Sequence, residues 1–120
     1  MIVGSHDQPL DGIMRDMKAF TSRTLNDMIR KHPQESRKEW MLPIMEKAGK
    51  ENPNNYDFQL WQQEYHPIQL MTAGMTQQKL DHIHENPVKA GLVAEAQHYV
   101  YSSAADYAGQ TGLIRIVQLF

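Results

Sequence analysis

The sequence predicts a small α+β domain over residues 1–120, mostly helical with a small antiparallel sheet. Three observations predict it. Apolar residues recur near a 3.6 period across a long N-terminal stretch, the mark of an amphipathic helix. Residues 58–70, FQLWQQEYHPIQL, are rich in aromatic and apolar side chains and carry no helical cap. The two ends, MIVG and LIRIVQLF, have the apolar content of strands.

The elements follow in order. Met1–Gly4 reads as the end of a strand, too short to stand alone, and so it requires pairing in a sheet. Gln8–His32 is the clearest helix, with apolar residues at Leu10, Ile13, Met14, Met17, Phe20, Leu25, Met28 and Ile29. Asp7 can cap it, Pro9 fits its first turn, and Pro33 closes it. Glu35–Lys50 reads as a second helix that Pro43 should kink or split. Glu51-Asn52-Pro53-Asn54-Asn55 is a polar turn. Phe58–Leu70 reads as one or two short strands with Pro67 at an edge or bend. Thr76 can cap a third helix from Gln77 to about Glu85, stopped by Asn86-Pro87. The tail is turn-rich, with a short helix opening at Ser102-Ser103. LIRIVQLF reads as a strand or a buried C-terminal arm.

The bulk numbers exclude several classes. A length of 120 residues fits one small domain. Nothing approaches the roughly 20 apolar residues of a membrane helix. The N-terminus lacks the basic and apolar regions of a secretory signal. These features point to a cytoplasmic protein without a membrane partner. The chain has no cysteine, which removes disulfides, thiolate metal sites and thiol nucleophiles. The net charge is −2, so any nucleic-acid surface must be local. Nine of the twelve Lys and Arg fall at or before Lys50, interleaved with acids; this places the cationic candidates early in the chain.

Residues 80–93, LDHIHENPVKAGLV, pose the sharpest chemical question. His82-Ile83-His84 is the spelling by which a strand points two imidazoles at one metal. The flanking residues favour a helix, however, and there i and i+2 lie about 200° apart. Helical ligand pairs need i,i+3 or i,i+4 spacing. A two-histidine metal site therefore loses to a plainer reading: one histidine in solvent, the other packed beside Ile83. The i,i+4 partner of His82 is Asn86.

KLDHIHENPVKAGLV followed by HYVYSSAADYAG resembles the C-terminal half of the single-tyrosine, REP-associated (IS200-like) transposase family. In that family a helix ends in Tyr-Ile-(His or Glu)-x-Asn-Pro-Val-(Arg or Lys)-Ala-Gly-Leu-Val, and a Ser-Ser-x-x-x-Tyr element follows. Ile83, Asn86 to Val93, Ser102, Ser103 and Tyr107 match this pattern. Lys18–Ser22, Phe58–Gln62 and the segment Gln34–Trp40 also resemble family members, so the likeness covers nearly the whole chain.

The resemblance implies a ferredoxin-like α+β domain. It also implies a chemistry in which a His-hydrophobe-His (HUH) strand binds magnesium or manganese and a tyrosine attacks a DNA phosphodiester, leaving a 5′-phosphotyrosine link. The metal would polarise the phosphate, and the covalent link would conserve the bond for rejoining. His82 stands at the tyrosine position. Asn86 stands at the position of a third metal ligand. Arg15, Lys18, Arg23 and Lys89 would meet phosphates, and Trp61 and Tyr65 would stack on bases.

The resemblance also places the HUH strand just before the segment that opens here as Met1-Ile2-Val3. The expected fold is then an incomplete version of the family domain. The expected function is binding to single-stranded or hairpin DNA, with no strand cleavage or metal binding by this chain alone. The alternative is a non-catalytic remnant or a co-opted DNA-binding or oligomerising module, with a homodimer covering exposed apolar surface.

Overall fold

The computed structural model describes every residue except Tyr56, Glu64 and Tyr65. The elements are helix α1 (Leu10–Lys31), helix α2 (Lys38–Lys50), helix α3 (Ala73–Lys89), a one-turn 3₁₀ helix (Ala96–His98) and the short helix α4 (Ala104–Tyr107). No strand occurs among the described residues. This overturns the α+β, ferredoxin-like expectation. Met1–Gly4, the described parts of 58–70, and 113–120 form no ladder. Strand content stabilises a sheet only where a partner edge is within reach, and none of these segments finds one.

The chain divides into two compact units, Val3–Pro67 and Met1–Ile2 with Ile68–Phe120. In the first, α1 packs on α2. The contact runs along a polar flank of α1. Asn26 is buried, its amide donates to the Met45 sulfur at 3.6 Å, and its Oδ1 accepts from Arg30 Nε at 2.8 Å. Arg30 Nη2 then reaches Glu46 Oε1 at 2.7 Å. Asp11 near the N-terminus of α1 and Arg30 and Lys31 near its C-terminus suit the helix dipole. The helix begins on Pro9 with no side-chain cap, so Asp7 does not serve as one.

Helix α2 starts at Lys38 rather than Glu35. Glu35 is used in the preceding turn, where its carboxylate accepts from the backbone N–H and guanidinium of Arg37 at 2.9–3.2 Å. Those bonds hold the Glu35 carboxyl at about 2. Pro43 does not split α2, which runs through it as one helix; the ring removes one ladder bond and the others persist. Past α2, Gly49 is buried against the returning chain. A Cβ there would lie 2.5 Å from the backbone of Phe58, and Gln59 N–H donates to the Met45 carbonyl at 2.8 Å. The Asn-rich turn is held by Asn52 Nδ2 donating to Gln59 Oε1 at 2.8 Å.

In the second unit, α3 begins a full turn earlier than expected. Thr72, not Thr76, is the cap: its Oγ1 accepts from Met75 N–H at 3.2 Å. The helix also continues past Asn86-Pro87 to Lys89. Pro87 sits in the last turn and is buried there, where the missing ladder bond costs least. The stop comes from Gly91, at φ +72. Leu92 N–H donates to the Pro87 carbonyl and Gly91 N–H to the Val88 carbonyl, both at 2.9 Å. This is a Schellman cap, which needs a left-handed residue that glycine supplies cheaply. Gly109, at φ +77, closes α4 the same way, with Gln110 N–H on the Ala105 carbonyl. The 3₁₀ turn bridges α3 and α4.

Residues 113–120 neither pair nor bury. Leu113, Ile114 and Val117 are exposed. The arm is tied to α4 by Leu119 N–H donating to the Tyr107 hydroxyl at 2.9 Å and Gln118 Nε2 donating to the Asp106 carbonyl at 2.9 Å. Among the described residues the buried apolar side chains are Met45, Leu80, Pro87 and Ala104.

Candidate nucleic-acid interface

Helix α3 divides into two faces. Leu80 and Pro87 are buried and Thr76, Ile83 and His84 half-buried. At about 100° per residue these positions share one side. Gln78, His82, Glu85, Asn86 and Lys89 lie on the other and are exposed. His82 and Asn86 are thus one turn apart on a solvent-facing stripe, with Lys89 a further turn along.

The charge on that stripe is largely compensated. Lys89 Nζ pairs with Glu85 Oε2 at 2.6 Å, and the Lys89 hydrogen bond lowers the Glu85 pKa. Gln77 donates to Asp81 Oδ1 at 2.7 Å. A phosphate approaching Lys89 must compete with Glu85 for it.

His84 points the other way. Its Nε2 lies 2.8 Å from Ser103 Oγ, and its ring meets Tyr107 at 5.3 Å between centroids with a 59° tilt. Burial lowers the His84 pKa, opposed by the nearby Asp81 charge, so the ring is neutral near pH 7. The sequence offered no sign of this cluster beyond the Ser-Ser-x-x-x-Tyr spacing. A neutral imidazole on a hydroxyl has the form of a nucleophile–base pair. Here the pair joins α3 to the start of α4 and clamps the two helices.

The two histidines therefore serve opposite sides of α3. Among the described residues no three His, Cys, Asp or Glu side chains gather where one ion could be held. Among the described residues, Asn86 offers one amide oxygen and no such group stands beside it to hold magnesium or manganese.

The remaining DNA-binding candidates lie in the first unit. Trp61 is 42% exposed and its indole N–H donates to Thr21 Oγ1 at 2.8 Å. Thr21 is one turn beyond Lys18, so Trp61 and the half-buried Lys18 occupy neighbouring turns of one α1 flank. Arg15 lies one turn before Lys18 on α1, and Arg23 about 140° round the helix from Lys18. Arg15 is paired with Asp16 at 2.9 Å, which raises the arginine's pKa further. Arg23 folds back to the Ala19 carbonyl at 3.2 Å. Arg15, Lys18 and the Thr21 that holds Trp61 therefore follow one another along one side of α1, with Arg23 set apart from Lys18. Tyr65 lies outside the described residues.

No helix among the described residues is long and apolar enough to cross a membrane. Comparison with known protein families, curated proteins and solved structures finds no match to this chain.

Proposed function

We propose that this chain is a DNA-binding protein of the single-tyrosine transposase lineage that engages single-stranded or hairpin DNA without cutting it. One observation carries the reading. Asn-Pro-Val-Lys-Ala-Gly-Leu forms the end of α3 and its Gly91 cap, and it leaves His82 and Asn86 exposed one turn apart. That i,i+4 spacing supports the reading, since the resemblance puts a nucleophile and a third metal ligand at these two positions. The motif that carries the likeness is thus a helix end presenting those two side chains to solvent.

The residues on that face bind rather than cut. Histidine at position 82 would give a phosphoramidate, a poor stand-in for a phosphotyrosyl ester, and among the described residues no group of three His, Asp or Glu gathers to hold an ion. Binding rests on Arg15 and Lys18 of α1 and on Lys89 of α3 for phosphates, and on the half-open ring of Trp61 for base stacking. Ion-paired cations contribute less each than free ones, so affinity should be modest, with a shallow salt slope of about −2 for three phosphate contacts on a single strand.

The test is a salt-titrated mobility shift with the full chain on a hairpin-bearing single strand and on a duplex of matched length. Tighter binding to the single strand is expected, with Trp61→Ala lowering affinity about tenfold through lost stacking. Arg15→Ala should flatten the salt slope by about one unit. Equal or absent binding to both DNAs at low salt would overturn the reading.

A further inference from the structure

A cavity of about 370 Å³ opens between the end of α4 and the C-terminal segment. Asp106, Thr111, Ile114, Arg115, Ile116 and Gln118 line it, and all belong to the second unit. Local bonds build it. Gly109 turns the chain back at φ +77. Gly112 N–H then donates to Asp106 Oδ1 at 3.1 Å. Only glycine allows that approach, because a Cβ at position 112 would collide with Asp106 Oδ2. At the far end Gln118 Nε2 donates to the Asp106 carbonyl and Leu119 N–H to the Tyr107 hydroxyl, both at 2.9 Å. Residues 113–117 run between these ties and make no hydrogen bond of their own among the described residues.

Two opposite charges line this cavity without meeting. Asp106 is half-buried, yet no cation pairs with it among the described residues, and its Oδ2 accepts no hydrogen bond there. Arg115 makes neither an ion pair nor a hydrogen bond among the described residues. The carboxylate and the guanidinium therefore stand more than 4.0 Å apart. A ligand that is only an anion would be drawn by Arg115 and repelled by Asp106, and one that is only a cation would meet the reverse. A molecule with both charges satisfies both groups. Between them Ile114 and Ile116 offer hydrocarbon.

We propose that this cavity binds a small zwitterion with an apolar body, the chemistry of a free apolar α-amino acid. The ammonium sits on Asp106 Oδ2 and the carboxylate takes the fork of Arg115. The side chain lies on Ile114 and Ile116. The volume is near the lower end of the roughly 300–1,000 Å³ of small-molecule sites, room for one such molecule. The site stands independently of the nucleic-acid reading and is tested without DNA.

Titration calorimetry of the full chain with L-leucine measures it directly. Binding with a Kd of about 1 mM is expected, as befits a small ligand in an open site. N-acetyl-L-leucine lacks the cation and L-leucinamide lacks the anion, so each should bind about tenfold more weakly or worse. Asp106→Asn keeps an acceptor for Gly112 N–H and should weaken L-leucine about tenfold. Arg115→Gln, at an exposed position, should do the same with unchanged circular dichroism, and it keeps the test valid should Asp106→Asn disturb the fold. Absence of binding at about ten times the expected Kd would overturn the proposal. So would blocked leucines that bind as well as the free amino acid, or an Arg115→Gln chain that binds L-leucine normally.

Discussion

Helices α1 and α3 relate opposite ways to their own sequence patterns. The apolar stripe of α1 is the cleaner, yet it stays largely exposed while a polar residue, Asn26, is the buried one. The stripe of α3 is sparser, yet Leu80 and Pro87 are buried and its polar side faces water. Periodicity therefore predicts that a helix forms and which side is apolar. It does not predict which side a neighbour covers. For α1 the neighbour is set by α2, whose Met45 and Glu46 engage Asn26 and Arg30. For α3 it is set by the downstream chain, whose Ser103 and Tyr107 meet His84.

Substitutions can break this comparison. Leu80→Ala should have the largest effect, destabilising the 68–120 unit by about 3 kcal/mol through lost burial and a residual cavity, read by denaturant unfolding. Asn26→Ala should cost about 1.5 kcal/mol in the other unit, because it frees buried Met45 and removes the Arg30 bridge. Gly91→Ala should cost about 1 kcal/mol, the penalty of a Cβ at positive φ. Phe20→Ala, on the stripe that looks most core-like by sequence, should change the stability of the dilute monomer by less than about 0.5 kcal/mol. A Phe20→Ala cost matching that of Leu80→Ala would show that α1 buries its stripe after all.

The smallest effect is electrostatic. Burial lowers the His84 pKa in the folded chain, so the unfolded chain binds a proton more readily. Stability contributed by neutral His84 is then full above the ordinary histidine value of 6.5 and falls as pH drops through it. Thermal unfolding followed from pH 8 to pH 5 should show a downward trend that His84→Gln reduces. A flat profile in the unaltered protein would remove the clamp assigned to His84.

Much of the helical layout was legible. The α1 period and the opposite pointing of His82 and His84 follow from local rules, because each depends on residues within a turn or two. What was not legible depended on distant partners. The apolar content of 58–70 and 113–120 suggested strands, but ladders require a second edge, and local composition carries no record of one. Pro43 and Pro87 suggested breaks, yet each costs its helix only one backbone bond. The basic candidates read as one set because charge is counted along the sequence. On α1 only Arg23 lies away from Lys18, and Arg15 and Lys89 already have acidic partners.

The central claim, binding without cleavage, is tested most directly by incubating the full chain with a labelled hairpin-bearing single strand and magnesium, then resolving native and denaturing gels side by side. The account predicts a retarded band on the native gel and no protein-linked DNA on the denaturing gel, for the unaltered chain and for His82→Tyr alike. A denaturation-resistant adduct that disappears in His82→Ala would contradict it.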